Sequence, residues 1–120
     1  MQDYKKLVVW ELAHIITLEI YKVTKLFPKD ELFSLTNQIR RAAYSVPMNL
    51  AEGCGRYSQA DKANFFQISL GSLHELEYSV ILSKDLGYLN EEDFDNLFKK
   101  INEVKQKLIT LISLVRIKKP

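Results

Sequence analysis

Glu11-Leu12-Ala13-His14 has the Glu-x-x-His spacing that places a carboxylate and an imidazole on one helix face in di-iron and di-manganese bundles. Such a centre needs a second pair and two further inward glutamates. The other histidine, His74, has Gly71 three residues before it, so the second pair is missing and no metal site is expected. His74-Glu75-Leu76-Glu77 lacks the second histidine of the zinc-protease helix. Gly53-Cys54-Gly55 has Ser58 where the dinucleotide fingerprint requires glycine, and no strand pattern precedes it. Cys54 as a nucleophile needs an imidazole base, and neither histidine can be placed beside it. A small thiol tucked near a helix end is the expectation. No catalytic residue, cofactor or small-molecule substrate is expected.

The remaining chemistry lies on one helical stretch. Its polar side reads Gln38, Arg41, Ser45, Asn49, Glu52 and Arg56, and its apolar side reads Leu32, Leu35, Ile39, Ala42, Val46 and Leu50. Both follow the 3-and-4 spacing of a helix face. Arg40 and Arg41 supply forked donors suited to phosphate or carboxylate. This stripe either contacts a partner or has its arginines paired with Glu75 and Glu77, within or between subunits; the sequence leaves both open. Pro47 lies inside the same helix, removes one backbone hydrogen bond and is expected to bend the chain near Ala43–Val46. Ser45 is the expected donor to the freed carbonyls.

Four helical patterns separated by short breakers position these residues. The first runs from Lys5 to Leu26 and stops at Phe27-Pro28, because proline disfavours the helical conformation in the residue before it. The second runs from Asp30, as N-cap, to Gly53-Cys54-Gly55; the third from Ser58-Gln59-Ala60-Asp61 to Leu86-Gly87; the fourth from Asn90-Glu91-Glu92-Asp93 to about Lys118. In the fourth, Phe94, Leu97, Ile101, Val104, Leu108, Leu111 and Val115 form the seam, with Ile109, Leu114 and Ile117 off it. Matched lengths and short loops predict an all-α fold, an antiparallel up-down-up-down four-helix bundle, with residues 1–120 as one domain. Of the 21 residues from Leu7 to Phe27, 14 are apolar, too many for one face. The surplus predicts a subunit interface and hence a homo-oligomer. The alternative is a monomer core thickened by Trp10 and Tyr21.

Composition bounds the partners. The chain has 120 residues, 47% of them hydrophobic, and a net charge of +2, which supports a packed core but only weak attraction to polyanions. Apolar runs are too short to span a membrane, and no signal-peptide core follows the N-terminal Met1-Gln2-Asp3-Tyr4-Lys5-Lys6. A single cysteine predicts a reducing, cytoplasmic setting. The basic excess lies at the two ends of the sequence. Lys22, Lys25 and Lys29 close the first helix, and Lys99, Lys100, Lys105, Lys107 and Arg116 extend along the fourth. If those helices are neighbours, the bases form one patch; otherwise they are ordinary solvated faces.

The run Gln38-Ile39-Arg40-Arg41-Ala42-Ala43-Tyr44-Ser45-Val46-Pro47-Met48-Asn49-Leu50-Ala51-Glu52-Gly53 resembles the signature of the four-helix-bundle proteins encoded in 23S rRNA intervening sequences, also labelled S23 ribosomal proteins. Trp10, Tyr21, Phe27-Pro28, Gly71-Ser72-Leu73 with Glu75 and Glu77, and Leu86-Gly87-Tyr88-Leu89 agree with it. Cys54 departs from it, standing where such proteins often carry a bulkier residue. The resemblance implies a bacterial protein forming a ring-like homopentamer. It also implies similarity to the accessory variability proteins of diversity-generating retroelements, which bind nucleic acid and a reverse transcriptase. It marks Gln38, Arg41, Ser45, Pro47, Asn49, Glu52, Gly53, Glu75 and Glu77 as motif or interface residues, and it carries over no catalytic residue.

Three functions follow. The first is an oligomer binding RNA or DNA through Lys22, Lys25, Lys29, Arg40, Arg41, Arg56, Lys99, Lys100, Lys105 and Lys107. The second is a scaffold engaging a protein partner such as a polymerase through the polar stripe. The third, a structural ribosome component, ranks last because +2 is low for a protein that binds rRNA.

Overall fold

The computed structural model describes residues 2–117. Its four helices are α1 (Val8–Thr24), α2 (Leu35–Cys54), α3 (Gln59–Asp85) and α4 (Glu91–Ile117), with 3-10 turns at Tyr4–Lys6 and Lys29–Glu31 and no strand among the described residues. α1 packs against α2 and α4, and α3 packs against the same two. Ile16, Ile39, Leu50, Phe66, Leu73 and Ile101 are fully buried where the four meet.

The turns account for most boundary differences. Asp3 accepts from Lys5 N at 3.1 Å and closes the first 3-10 turn, while Leu7 takes extended dihedrals, so α1 opens at Val8 rather than Lys5. Asp30 is not the cap of the second helix, because Lys29–Glu31 winds as its own turn and α2 begins at Leu35. Ser34 stands at that N-cap with its hydroxyl donating to Glu31 Oε1 at 2.6 Å. Leu32 therefore lies outside α2 and is exposed, as is Phe33. The other ends follow local chemistry. Ser58 Oγ accepts from Asp61 N at 3.0 Å, and Asn90 Oδ1 accepts from Asp93 N at 2.8 Å. Gly87, at φ 80°, supplies the left-handed residue that lets Gly87 N and Tyr88 N, both at 2.9 Å, bond to Lys84 O and Ser83 O. Lys118, the expected last helical residue, lies outside the described residues.

α2 runs unbroken through Pro47. The carbonyl that a residue-47 N–H would have bonded, Ala43 O, instead accepts from Thr17 Oγ1 of α1 at 3.2 Å. Ser45 is not that donor; its hydroxyl meets Ser72 Oγ of α3 at 2.8 Å. A second interhelical hydroxyl, Ser69 Oγ, donates to Val46 O at 2.8 Å. The region around the proline is thus fastened to both neighbouring helices by side chains that themselves sit inside the bundle.

One buried hydroxyl has no partner among the described residues, Thr36 Oγ1. A buried polar group without a hydrogen bond loses its hydration with no return. Thr36→Val keeps the shape and removes the orphan, so it should stabilise the chain by about 1 kcal/mol; a lowered midpoint in thermal unfolding would contradict this.

The apolar surplus of α1 is only partly covered. Val8, Leu18 and Leu26 are exposed, with Ile15 and Tyr21 beside them, and on α4 Ile109, Leu114 and Ile117 are exposed too. Leu7, Val8 and Val9 share an apolar cleft of about 480 Å³ with Gln106, Lys107, Thr110, Leu111 and Leu114. Trp10 stacks on His14 with ring centres 5.2 Å apart and meets Tyr4 edge-on. No helix of the described residues is long and apolar enough to cross a membrane.

Candidate nucleic-acid interface

The polar stripe forms, but its members have different tasks. Asn49 Nδ2 donates to Ser45 O at 2.8 Å and to Ser45 Oγ at 3.0 Å, so the Asn49 amide holds the Ser45 hydroxyl in place. Arg56 pairs with Glu52 at 2.9 Å, lies 3.9 Å from Asp61 and covers the Phe65 ring at 4.5 Å. Those three contacts tie the end of α2 to the start of α3. Gly53 is buried against Phe66, and Pro47 is buried too. Glu52 and Arg56 therefore close a helix junction, and Gly53 and Pro47 belong to the interior.

The arginines do not pair with Glu75 and Glu77 within the chain. Arg40 turns inward, donating from Nε to Thr24 Oγ1 at 2.8 Å with its guanidinium 4.9 Å from the centre of the Tyr21 ring. Glu75 instead accepts from Gln38 Nε2 at 3.3 Å. Glu77 is taken by Lys105 of α4 at 2.6 Å. Arg41 is exposed and makes no ion pair among the described residues. It stands at a cleft of about 260 Å³ between α2 and α3, lined also by Gln38, Tyr44, Ser45, Met48, Ser72 and Glu75. Tyr44, Met48 and Ser72 are not among the site residues expected from the sequence. The three-residue step from Ser72 to Glu75, which puts both on one face of α3, is the signal available for Ser72.

The lysines divide the same way. Lys100 is paired with Glu19 of α1, and Asn96 donates to the same carboxylate at 2.9 Å. Lys22, Lys25, Lys29, Lys99 and Lys107 are exposed and make no ion pair among the described residues. α1 and α4 are neighbours, as a joint basic patch requires. Lys22, however, shares its cleft with Glu19, Asp93, Asn96 and Leu97, so acids interrupt the patch. Lys105 and Glu77 are both more than four-fifths buried. Replacing Lys105 by methionine leaves the Glu77 carboxylate poorly hydrated and unpaired, at a cost of about 1–2 kcal/mol once residual exposure is allowed for. Thermal unfolding should show that loss; a variant as stable as the wild type would mean that the pair holds no buried charge.

Among the described residues no group of three histidine, cysteine or acidic side chains converges to hold a metal ion. Burial pushes the Cys54 thiol above its ordinary pKa, with Lys62 opposing that shift. The hydrogen bond from Ser34, followed by that from Tyr88, holds the Glu31 carboxyl below its ordinary pKa.

The family model described as 23S rRNA-intervening sequence protein matches residues 5–110. A crystal structure of a protein of unknown function from the S23 ribosomal protein family of Bacteroides thetaiotaomicron is similar, with a TM-score of 0.81 and 26% identity over 88% of this chain and 98% of that one. No curated protein sequence matches the chain. Because the match takes in α1, α2, α3 and most of α4, motif and scaffold together, the chain belongs to the 23S rRNA-intervening sequence protein family.

Proposed function

We propose that this is a non-enzymatic, cytoplasmic protein with its helices running up-down-up-down, which assembles with copies of itself as a ring-like homopentamer and binds RNA or DNA. The observation that carries the binding is the set of exposed cations, Lys22, Lys25, Lys29, Arg41, Lys99 and Lys107, that make no ion pair among the described residues. A cation without an internal acid is available to displace a counterion from a phosphate. Assembly multiplies such contacts, which a net charge of +2 per chain does not supply alone. Support for assembly comes from the exposed Val8 and Leu114, which line the apolar cleft of α1 and α4, and from the exposed Leu18 and Ile117 on the same two helices. Support for the helix order comes from the clefts those helices share: Leu7–Val9 lie with Gln106–Leu114, and Glu19–Leu26 with Asp93–Leu97.

The test is fluorescence anisotropy with structured rRNA fragments and duplex DNA at ~50 and ~200 mM salt, where several phosphate contacts weaken binding by ~10³-fold or more. Absence of binding at the lower salt would overturn the nucleic-acid reading in favour of a protein scaffold. A monomer by light scattering at micromolar concentration would overturn assembly.

A further inference from the structure

The cleft between α2 and α3 is lined mainly by polar side chains, and one row of them has a defined order of donors and acceptors. Glu75 Oε2 and Gln38 Nε2 lie side by side, 3.3 Å apart. An ionised carboxylate only accepts, and a primary amide nitrogen has two hydrogens to give. One of the Gln38 hydrogens is used on Glu75, which leaves the second, together with the remaining lone pairs of Glu75. Below them, Ser45 and Ser72 share one hydrogen bond at 2.8 Å, and Ser45 Oγ also accepts from Asn49. Two hydroxyl protons serve that pair and their mutual bond consumes one, so one hydroxyl donor is left over. Whichever serine keeps it, both hydroxyls line the cleft, Ser45 half-buried and Ser72 buried. Arg41, Tyr44 and Met48 line the same cleft, Arg41 and Met48 exposed and Tyr44 half-buried.

We propose that this cleft receives one unstacked guanine base, with the adjoining phosphate on Arg41. The inference rests on the nucleic-acid reading and gives it a site and a base preference. The Watson–Crick edge of guanine presents N2–H, N1–H and O6 in a row. The two Glu75 oxygens accept from N2–H and N1–H, and the free Gln38 hydrogen is donated to O6. Adenine, cytosine and uracil can each offer this row one donor and one acceptor, and so leave one carboxylate oxygen unmatched. The face of the base lies against Tyr44 and Met48, the mode by which proteins hold splayed-out bases of single strands. The leftover serine donor meets an acceptor on the base or its ribose.

The experiment uses the full chain and labelled eight-nucleotide RNAs of uridine carrying one central guanosine, adenosine or cytidine, at ~50 mM salt. Guanosine should bind about ten-fold or more tightly than the other two, the range of a bidentate base contact. Inosine, which lacks the N2 amine, should lose most of that preference, and 7-deazaguanosine, whose Watson–Crick edge is intact, should keep it. Glu75→Gln should abolish the preference for guanosine over adenosine and cytidine, whereas Arg41→Ala should weaken every oligonucleotide. Equal binding of the three bases by the wild-type protein, or a guanosine preference that survives Glu75→Gln, would overturn the site. If no oligonucleotide binds at all, the nucleic-acid reading fails separately and guanosine monophosphate decides the cleft. Saturable shifts of the Gln38–Met48 amide resonances, absent with adenosine monophosphate and in Glu75→Gln, would support it; no shift would overturn it.

Discussion

Gly53→Ala should lower the stability of this chain by about 2 kcal/mol, the middle of the range for forcing an extra methyl group into a packed interior. A Cβ built on Gly53 would stand 2.8 Å from Phe66 Cε1, 2.9 Å from Phe66 Cδ1 and 3.1 Å from Phe65 Cβ. Phe66 is fully buried, so its ring has nowhere to swing. Alanine is the better helix former by ~0.5–1 kcal/mol, which offsets part of the clash but not its sign. Gly71 is the control. It lies within α3, and a Cβ there meets nothing within 4 Å, so Gly71→Ala should be neutral or stabilising. Urea midpoints measured on both variants separate the two cases. A Gly53 variant as stable as the wild type would mean that α2 and α3 are not held at this spacing by the glycine.

Thr17→Val should cost about 1–3 kcal/mol, the penalty of leaving a buried polar group without its partner. The group left behind is not on α1. Thr17 Oγ1 also donates to Ala13 O, at the shorter 2.9 Å, so its single hydrogen is shared between the two carbonyls. In the run of α1, however, Ala13 O also has a backbone N–H four residues on. Ala43 O has no such recourse, because residue 47 is proline and has no N–H to give. Pro47→Ala restores the missing donor, so in that background Thr17→Val should cost clearly less. The double-mutant cycle should then show a coupling of about 1 kcal/mol between two residues on different helices. Additive effects of the two substitutions would mean that the hydroxyl does not serve the proline-freed carbonyl.

Regular stretches of this fold are legible in the sequence, and the contacts between helices are not. The seam of α4 is a case of the first: Leu97, Ile101, Val104, Leu108 and Val115 are buried and Ile109, Leu114 and Ile117 exposed. Phe94 and Leu111 are half-buried, and Ile112, outside the expected seam, is buried. A helical period sustained along the whole of α4 leaves little freedom in which side faces in. Ser58 caps its helix because a cap acts on a backbone N–H three residues away. Asp30 fails by the same local logic: Ser and Asp caps compete with 3-10 turns, and the turn at Lys29–Glu31 postpones α2 by several residues. Pro47 lies inside its helix as the pattern requires, but Ser45 is the wrong rescuer, since the donor lies 26 residues away in sequence on α1. Spacing rules carry no information at that range.

The stripe of α2 shows the same division. Its face is legible, since Gln38, Arg41 and Glu52 are exposed opposite the buried Ile39, Ala42 and Val46. Charge sign alone cannot say which acid each base will meet. Arg40 prefers the Tyr21 ring and the Thr24 hydroxyl, a planar cation on an aromatic face, and Lys105 reaches Glu77 because α4 packs beside α3. The candidate cations thus sort into engaged and available sets only once the helices are placed.

The lone thiol turns one end of the bundle into a clock. Cys54 is wholly enclosed, its carbonyl is bonded by Gln2 N at 2.9 Å, and its burial keeps the reactive thiolate scarce. With a single cysteine per chain, each modification by a thiol reagent counts one excursion in which the last turn of α2 leaves its seat. When closing outruns labelling, the ratio of the observed rate to that of an unstructured cysteine peptide gives the population of that open state. The chain therefore carries an intrinsic gauge of local opening at the junction of α2 and α3, readable without any introduced label.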